Sequence, residues 1–280
     1  MKNPVARLCN VVKTVKAKID EPLRLELSLV DHCNLNCKGC THYCPIAPQH
    51  LMPVDEVDAA LSHLAAVDSS MFSYIYLLGG EPLLHPAIGD ICRMVRRYFP
   101  TVGIKLLTNG LRVAQMDDAF WAACRDTDTV LSVTIYPVKV DYDLIEQLCR
   151  RHGVRYEVFH QPKEGRFFSK HVIDDINPGN RHVNFLRCHE IGCLTLRNSR
   201  IYPCATSAYA DLVNNAFGRK FEHSEPRDGR HGGDYVEVQA VTSRTDLTRL
   251  KLRPTPFCRY CTRIEPTEWA PSRRSPSEWL

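Results

Sequence analysis

The chain has 280 residues, of which 44% are hydrophobic and 24% are charged, and its formal net charge at pH 7 is +4. This length and composition suffice for one large or two modest folded domains. The mild charge does not favour nucleic-acid or membrane-surface binding, and no apolar run reaches the ~18 residues of a membrane-spanning helix.

Apolar residues recur at helical spacing near the N-terminus, at Val5, Leu8, Val12, Val15 and Ile19. This spacing predicts an amphipathic helix that packs on the folded domain rather than on a membrane. The same segment is basic and lacks the continuous apolar stretch of a secretory signal. We therefore expect a cytoplasmic protein, in which the 13 cysteines are free thiols or metal ligands rather than disulfides.

Strand-like and helix-like segments alternate from residue 23 to about residue 160. The predicted strands are residues 23–30, 73–78, 103–108, 130–136 and 154–160. The helical patterns lie between them, at residues 54–64, 88–99, 120–124 and 144–148. This alternation predicts an α/β fold of βαβ units, with a parallel sheet covered by helices.

Three cysteines follow the first predicted strand on one short loop. Cys33, Cys37 and Cys40 have the spacing C-x3-C-x2-C. Three thiolates on such a loop can bind three irons of a [4Fe-4S] cluster and leave the fourth iron open to another ligand. The same cysteines, completed by His32 or His42, could instead form part of a zinc site.

Two turns follow the next two predicted strands. Gly79, Gly80, Glu81 and Pro82 come after the second strand, and Asn109 comes after the third. Paired glycines permit positive φ and a close approach of the backbone to a ligand. Both turns lie at the carboxyl ends of strands, where parallel α/β folds bind their ligands.

In this order, the cysteine loop and the two turns resemble the radical S-adenosylmethionine (radical SAM) superfamily. The resemblance implies a partial (β/α)6 barrel, although the sequence does not assign the sixth strand. It also implies that the open iron binds the amine and carboxylate of SAM, and that the Gly-Gly-Glu-Pro turn contacts the methionyl amine. By position, Asn109 and Ser132 on the fourth strand are further candidate cofactor contacts, Ser132 at the ribose.

After residue 160 the alternation stops, and we expect a domain boundary near residue 180, dividing the chain into residues 1–180 and 181–280. The second part contains five cysteines: Cys188, Cys193, Cys204, Cys258 and Cys261. The last two form a C-x2-C pair, a spacing that suits either a shared cluster or a four-cysteine zinc ribbon.

The C-terminal cysteines resemble the twitch domain, a shortened SPASM domain that follows radical SAM barrels and carries one auxiliary [4Fe-4S] cluster. The resemblance implies four ligands: Cys188, Cys204, Cys258 and Cys261. The usual pattern has a glycine where this chain has Ser199. Cys193 is spare in this scheme, and Cys44 lies close enough in sequence to the first loop to be of interest. We expect the other cysteines, Cys9, Cys92, Cys124 and Cys149, to be buried small apolar residues.

The resemblance implies an enzyme that receives an electron from a flavodoxin or ferredoxin and forms a 5′-deoxyadenosyl radical, which abstracts hydrogen from a substrate. Twitch enzymes that act on carbohydrates or aminocyclitols are epimerases when a thiol returns hydrogen, and dehydrogenases when the auxiliary cluster accepts an electron. The spare Cys193 favours an epimerase with this thiol as the hydrogen donor. A dehydrogenase and a zinc-stabilised binding module are the alternatives.

A peptide-modifying enzyme is disfavoured, because only about twenty residues precede the first strand and a peptide-recognition module is larger. The sequence does not choose among five candidate sugar-binding residues at the mouth of the barrel: Asp31, His42, His160, Arg166 and His189.

Overall fold

The computed structural model describes residues 23–160, 167–188, 190 and 192–280. The predicted N-terminal helix, Cys9, Arg166 and His189 lie outside the described residues, as does the side chain of His160. In this part of the chain, no helix combines the length and the apolar character needed to cross a membrane.

Parallel strands and helices alternate in the first half of the chain, as predicted. The strands are β1 (Arg24–Val30), β2 (Tyr74–Gly79), β3 (Gly103–Thr108), β4 (Thr129–Thr134) and β5 (Tyr156–His160). The helices between them are α1 (Val54–Asp68), α2 (Ile88–Tyr98), α3 (Asp118–Asp126) and α4 (Tyr142–His152). These strands pair in parallel in the order β5-β4-β3-β2-β1. The predicted parallel sheet is therefore confirmed.

Local sequence explains the ends of these helices. Asp117 and Asp141 precede α3 and α4, and each carboxylate accepts a hydrogen bond of 2.9 Å from a backbone N–H of the first turn. Such caps satisfy N–H groups that have no partner within the helix. Gly153 ends α4 in the left-handed conformation, at φ 70. The chain can therefore turn directly into β5.

The second half of the chain extends the same sheet. Its elements are β6 (Phe167–Ile173), α5 (Arg181–Arg187), β7 (Cys193–Arg197), β8 (Arg200–Tyr202), α6 (Ala205–Ala208), α7 (Ala210–Phe217), β9 (Val236–Glu237), α8 (Arg244–Leu252) and β10 (Cys261–Glu268). β7 pairs in parallel with β1, and β8 and β9 follow it in antiparallel pairing. The boundary predicted near residue 180 falls just before α5, and the chain then returns to the first sheet.

The sixth parallel strand differs from the expected one. It is β7, which lies beside β1, whereas no described strand pairs with the outer side of β5. The next strand in the sequence, β6, pairs instead with β10 in a separate antiparallel ribbon. Opposite charges support this pairing, because Lys170 Nζ lies 3.6 Å from a carboxylate oxygen of Glu265 in the facing strand.

Two hydrophobic cores hold the elements together. The larger core lies between the sheet and α1–α4 and contains the fully buried Leu25, Leu27 and Leu29 of β1. The smaller core is rich in aromatic residues: Tyr43, Tyr202, Tyr209, Phe221, Tyr235, Phe257, Tyr260 and Trp279. It joins the loop after β1 to the C-terminal end of the chain.

A buried arginine connects the two halves of the chain. Arg197, at the end of β7, donates to both carboxylate oxygens of Asp31, at 3.0 and 2.8 Å, and to Asp211 at 2.7 Å. Its guanidinium also lies over the ring of Tyr209, 4.6 Å from the ring centroid. Asp31 was a candidate sugar-binding residue, but the structure buries its side chain in this ion pair, next to the loop of cysteines.

We expect Arg197→Met to lower the free energy of unfolding by about 3–5 kcal/mol, because the Asp31 carboxylate would stay buried without its partner. Arg200→Met is the matched control, since Arg200 pairs with Glu237 at a half-exposed position and such pairs contribute about 1 kcal/mol or less. Anaerobic urea denaturation measures both. Equal, small losses in the two variants would contradict the role of Arg197.

Candidate active site

The loop after β1 and the turns after β2, β3 and β4 open on one cavity of about 420 Å³. The lining residues singled out from the sequence are Cys33, Cys37, Cys40, His42, Cys44, Gly79, Gly80 and Asn109. All of these segments follow the carboxyl ends of neighbouring parallel strands, which meet at one edge of the sheet. The structure thus brings the cysteine loop and the two predicted turns together.

N–H donors point at the sulfur atoms of this loop. The backbone of Leu35 donates to Cys33 Sγ at 3.3 Å, and the Asn109 amide lies 3.5 Å from the same sulfur. The indole N–H of Trp269 donates to Cys37 Sγ at 3.2 Å. Such donors stabilise thiolates more than thiols.

Burial acts in the opposite direction and raises the pKa of Cys33 and of Cys37, the latter to about 12. A bound metal overcomes this effect, because a coordinating thiol is deprotonated by the charge of the metal. The donor set therefore fits a group of irons held by Cys33, Cys37 and Cys40.

A zinc site and an iron–sulfur cluster require different arrangements of thiols. Among the described side chains, no three His, Cys, Asp or Glu groups converge tightly enough to hold a single metal ion. A zinc ion draws all of its ligands to within about 2.3 Å of one point. In an iron–sulfur cluster, by contrast, each cysteine binds a different iron and the ligands stand further apart.

The paired glycines allow two turns to touch. A Cβ on Gly80 would lie 1.9 Å from the carbonyl oxygen of His32, and one on Gly79 would lie 2.3 Å from that of Val30. Gly79 also has φ +139, a conformation that side chains disfavour. The sequence suggested that these glycines permit close approach of a ligand. The structure shows that they first permit close approach of the protein's own cysteine loop, although both also line the cavity.

Glu81 ties two of the turns together from behind the cavity. Its buried carboxylate accepts hydrogen bonds from Thr108 Oγ1 at 2.7 Å, from the backbone of Asn109 at 3.0 Å and from that of Leu83 at 3.1 Å. Burial outweighs these three donors and raises its pKa to about 7. Neither Glu81 nor Pro82 lines the described cavity, so Glu81 acts here by positioning Asn109.

The sequence model of the Radical SAM superfamily matches residues 27–157. This span runs from β1 to β5 and contains the three cysteines and both turns. Residues 27–157 are a radical SAM domain. The superfamily implies a [4Fe-4S] cluster and SAM, and the thiol loop and the cavity beside it fit that pair of ligands.

The chain is also similar to several characterised proteins. It is 32% identical over 123 residues to GTP 3',8-cyclase 1 of Mycobacterium tuberculosis. This alignment covers 40% of this chain and only a third of the relative's length. It is 23% identical over 253 residues to a probable GTP 3',8-cyclase of Pyrococcus abyssi, covering 87% of this chain and 81% of that one. The crystal structure of BtrN in complex with AdoMet and 2-DOIA aligns with 69% of this chain and 75% of BtrN, at 16% identity and a TM-score of 0.47.

In the radical SAM domain, β4 presents a different residue to the cavity from the one we predicted. Ser132 is fully buried and donates a hydrogen bond of 2.5 Å to Glu157 on β5. Thr134, two residues further along the same face, lines the cavity together with Tyr136. Residues i and i+2 of a strand lie on the same face. Of Ser132 and Thr134, the residue nearer the carboxyl end of β4 is therefore the one that reaches the cavity.

The four cysteines of the predicted auxiliary site lie on four different segments. Cys188 ends α5, Cys204 precedes α6, Cys258 lies in the turn Pro256–Tyr260, and Cys261 begins β10. Helix α5 is held against that turn by Asn184, whose amide donates to the carbonyl of Cys258 at 3.0 Å. Burial is the main cause that raises the pKa of Cys204, and the neighbouring thiols of Cys261, Cys188 and Cys258 raise it further. The structure thus groups these four thiols, and their role as iron ligands stays a prediction.

Two buried hydroxyl groups lie next to this set. The hydroxyl oxygens of Tyr43 and Thr206 are buried, and they lie close enough for a hydrogen bond with Thr206 to act on the pKa of Tyr43. Burial is the main cause that raises the pKa of Tyr43, and the charges of Cys261, Cys204 and Cys40 raise it further. This phenol therefore lies near both cysteine sets.

Cys193, the predicted hydrogen donor, is not among the residues that line the cavity. It pairs with Arg24 at the start of β1, and its thiol lies within electrostatic reach of Glu26 and of the lining residue Glu190. Burial and the nearby charge of Glu26 raise the pKa of its thiol. Cys44, in contrast, lines the cavity, and its sulfur lies 3.8 Å from that of Cys40.

We expect Glu81→Gln to destabilise the protein by about 1–3 kcal/mol, because the amide would place a donor opposite a backbone N–H. The folded-state pKa of Glu81 is raised from 4.5 to about 7. Between pH 4.5 and pH 7 the folded protein therefore keeps a proton on Glu81 that the unfolded chain releases. Proton binding stabilises the folded state in this range, and this stabilisation is lost as the pH rises through 7. The stability difference between wild type and Glu81→Gln should therefore be larger at pH 5 than at pH 8.

Urea denaturation at both pH values measures this difference. Glu56→Gln is the control for the same change at a half-exposed carboxylate, which accepts a hydrogen bond from Ser199. An equal stability difference for Glu81→Gln at pH 5 and pH 8 would show that Glu81 is already ionised at pH 5.

Proposed function

We propose that this protein is a radical SAM enzyme that removes a hydrogen atom from a carbinol C–H of a carbohydrate or aminocyclitol. The observation that carries this proposal is the shared cavity of the thiol loop, the glycine turn and Asn109. When bound, SAM and the reduced cluster supply a carbon radical able to abstract an unactivated hydrogen.

The residues of the cavity have distinct proposed roles. Cys33, Cys37 and Cys40 hold the first cluster. The backbone of Gly80, the amide of Asn109 and the hydroxyl of Thr134 face the space in which SAM would bind. An external donor of the flavodoxin or ferredoxin type supplies the electron, as the superfamily resemblance implies.

The chemistry of the lining supports a hydroxylated substrate of low negative charge. His42 lines the cavity beside Cys40, so its imidazole can face a substrate hydroxyl. The carboxylate of Glu190, which pairs with His171 at 3.3 Å, can face an ammonium group. No arginine or lysine occurs among the described lining residues. GTP, named in the relatives' activity, carries a triphosphate that would lack cationic partners there.

The grouping of the four C-terminal thiols supports oxidation of the alcohol to a ketone. In this reaction the carbinol carbon first loses a hydrogen atom. An auxiliary cluster held by Cys188, Cys204, Cys258 and Cys261 would supply the electron acceptor that the second oxidation step needs, and the hydroxyl proton would leave to water. Cys193, on which the epimerase expectation rested, does not line the cavity, and this removes the main reason for preferring inversion.

Epimerisation remains the second candidate, with a different donor. Cys44 lines the cavity, and an S–H group there could return hydrogen to the substrate carbon. The predicted zinc-stabilised binding module is the least supported alternative, because the glycine turn and Asn109 line the same cavity as the thiol loop.

We expect anaerobically reconstituted protein to bind roughly eight irons, from two four-iron clusters. Changing Cys258 and Cys261 together to Ala should halve this number and leave the first cluster intact, because only the auxiliary site loses ligands. Iron analysis with electron paramagnetic resonance (EPR) spectroscopy of the reduced protein measures both. Cys92→Ala, a buried helical position, is the control. Zinc without iron in the wild type would end the enzyme proposal.

Turnover in D2O distinguishes the two reactions. With SAM, a reductant and a panel of aminocyclitols and sugars, we expect a ketone and no deuterium at the reacting carbon. Cys193→Ala should form the same product as wild type, because its thiol does not line the cavity. An inverted alcohol that carries one deuterium, and that Cys44→Ala no longer forms, would favour epimerisation. Conversion of GTP alone would overturn the proposed substrate class.

A further inference from the structure

The last residues of the chain lie against the first cysteine loop. We call residues 269–280, which follow β10, the C-terminal strap. The backbone N–H of Lys38 donates to the carbonyl of Ala270 at 2.9 Å, and Cys37 forms an antiparallel β-bridge with Pro271. Asn36 and Ser272 exchange two hydrogen bonds of 2.9 Å. The strap therefore pairs with the segment that carries the second predicted iron ligand.

The far end of the strap is firmly anchored. Trp279 is fully buried in the smaller core, its indole donates to the carbonyl of Cys40 at 2.9 Å, and its own carbonyl accepts from Ile173. Glu278 closes the last turn by accepting hydrogen bonds from the backbones of Arg273 and Ser275. The strap is thus fixed at both ends of the cysteine loop.

Among the described contacts, Trp269 is the one strap residue whose side chain donates a hydrogen bond to a thiol of the loop. Its indole N–H lies 3.2 Å from Cys37 Sγ, and its ring lines the cavity. The donors to Cys33 belong to the loop itself and to the turn after β3. The donor to Cys37 comes instead from 232 residues further along the chain, so it can be removed without changing either motif.

We propose that Trp269 is a positioning residue that raises the reduction potential of the first cluster through its hydrogen bond to Cys37. This inference rests on the proposed function, in which Cys37 is an iron ligand. One electron from a flavodoxin- or ferredoxin-type donor increases the negative charge on the cluster and its sulfurs, and no bond breaks in that step. An N–H donor stabilises the more negative state more strongly, because hydrogen bonds to sulfur help to set cluster potentials.

The test is a redox titration of the reconstituted protein, followed by EPR of the reduced first cluster. It is made in the Cys258→Ala, Cys261→Ala background so that one cluster is observed. Trp269→Phe keeps the aromatic ring and removes the N–H. We expect its midpoint to move to more negative potential by about 59 mV, the one-electron equivalent of a tenfold change in the equilibrium constant. Trp269→His, which restores a ring N–H, should recover part of the shift.

Trp121→Phe is the matched control, because Trp121 is buried in α3 and stacks on His152 away from the cavity. Its midpoint should equal that of the parent protein. An unchanged midpoint in an iron-replete Trp269→Phe variant would overturn the inference. Failure of both Trp269→Phe and Trp269→His to bind iron would also overturn it, since the indole would then be needed for assembly rather than for tuning. Absence of iron from the parent protein would instead overturn the proposed function itself.

Discussion

The site depends on one constraint: a loop without regular secondary structure must hold three thiols in fixed positions at the edge of a parallel sheet. The loop cannot do this alone, because turns of this length have little internal packing. Its start is fixed by the ion pair between Asp31 and Arg197. Its middle lies against Gly80, where a side chain would not fit, and Cys37 lies against the C-terminal strap. Distant parts of the sequence therefore determine the geometry of a short motif.

The same arrangement explains why the two halves of the chain share a core. Tyr43 follows the thiol loop directly, yet it belongs to the aromatic core that also contains Phe257 and Trp279. Its phenol lies within electrostatic reach of Cys40 on one side and of Cys204 and Cys261 on the other. If both sets bind clusters, as we propose, Tyr43 lies near ligands of both.

Local patterns in the sequence were sufficient to predict the parallel sheet and several of the residues that line the cavity. The strands and helices up to β5 have clear periodicity, and Cys33, Gly80 and Asn109 each follow a strand end, so topology alone brings them together. Long-range pairings were not predictable in this way. Nothing near residue 193 indicates that β7 returns beside β1, where Cys193 pairs with Arg24. Trp269 was missed for the same reason, since its partner lies in a different part of the chain.

Hydrogen donation and electron acceptance make opposite demands on the thiols around the substrate. A hydrogen donor must remain a protonated thiol that faces the cavity, whereas an iron ligand must lose its proton to the metal. Cys40 and Cys44 lie only 3.8 Å apart and share a hydrogen bond that lowers the pKa of Cys40 and raises that of Cys44. One of the two is thereby favoured as a thiolate ligand and the other as a thiol. If inversion does occur, this pair supplies both functions from adjacent positions on one loop. If it does not, Cys44 is a buried thiol that packs beside the predicted ligand.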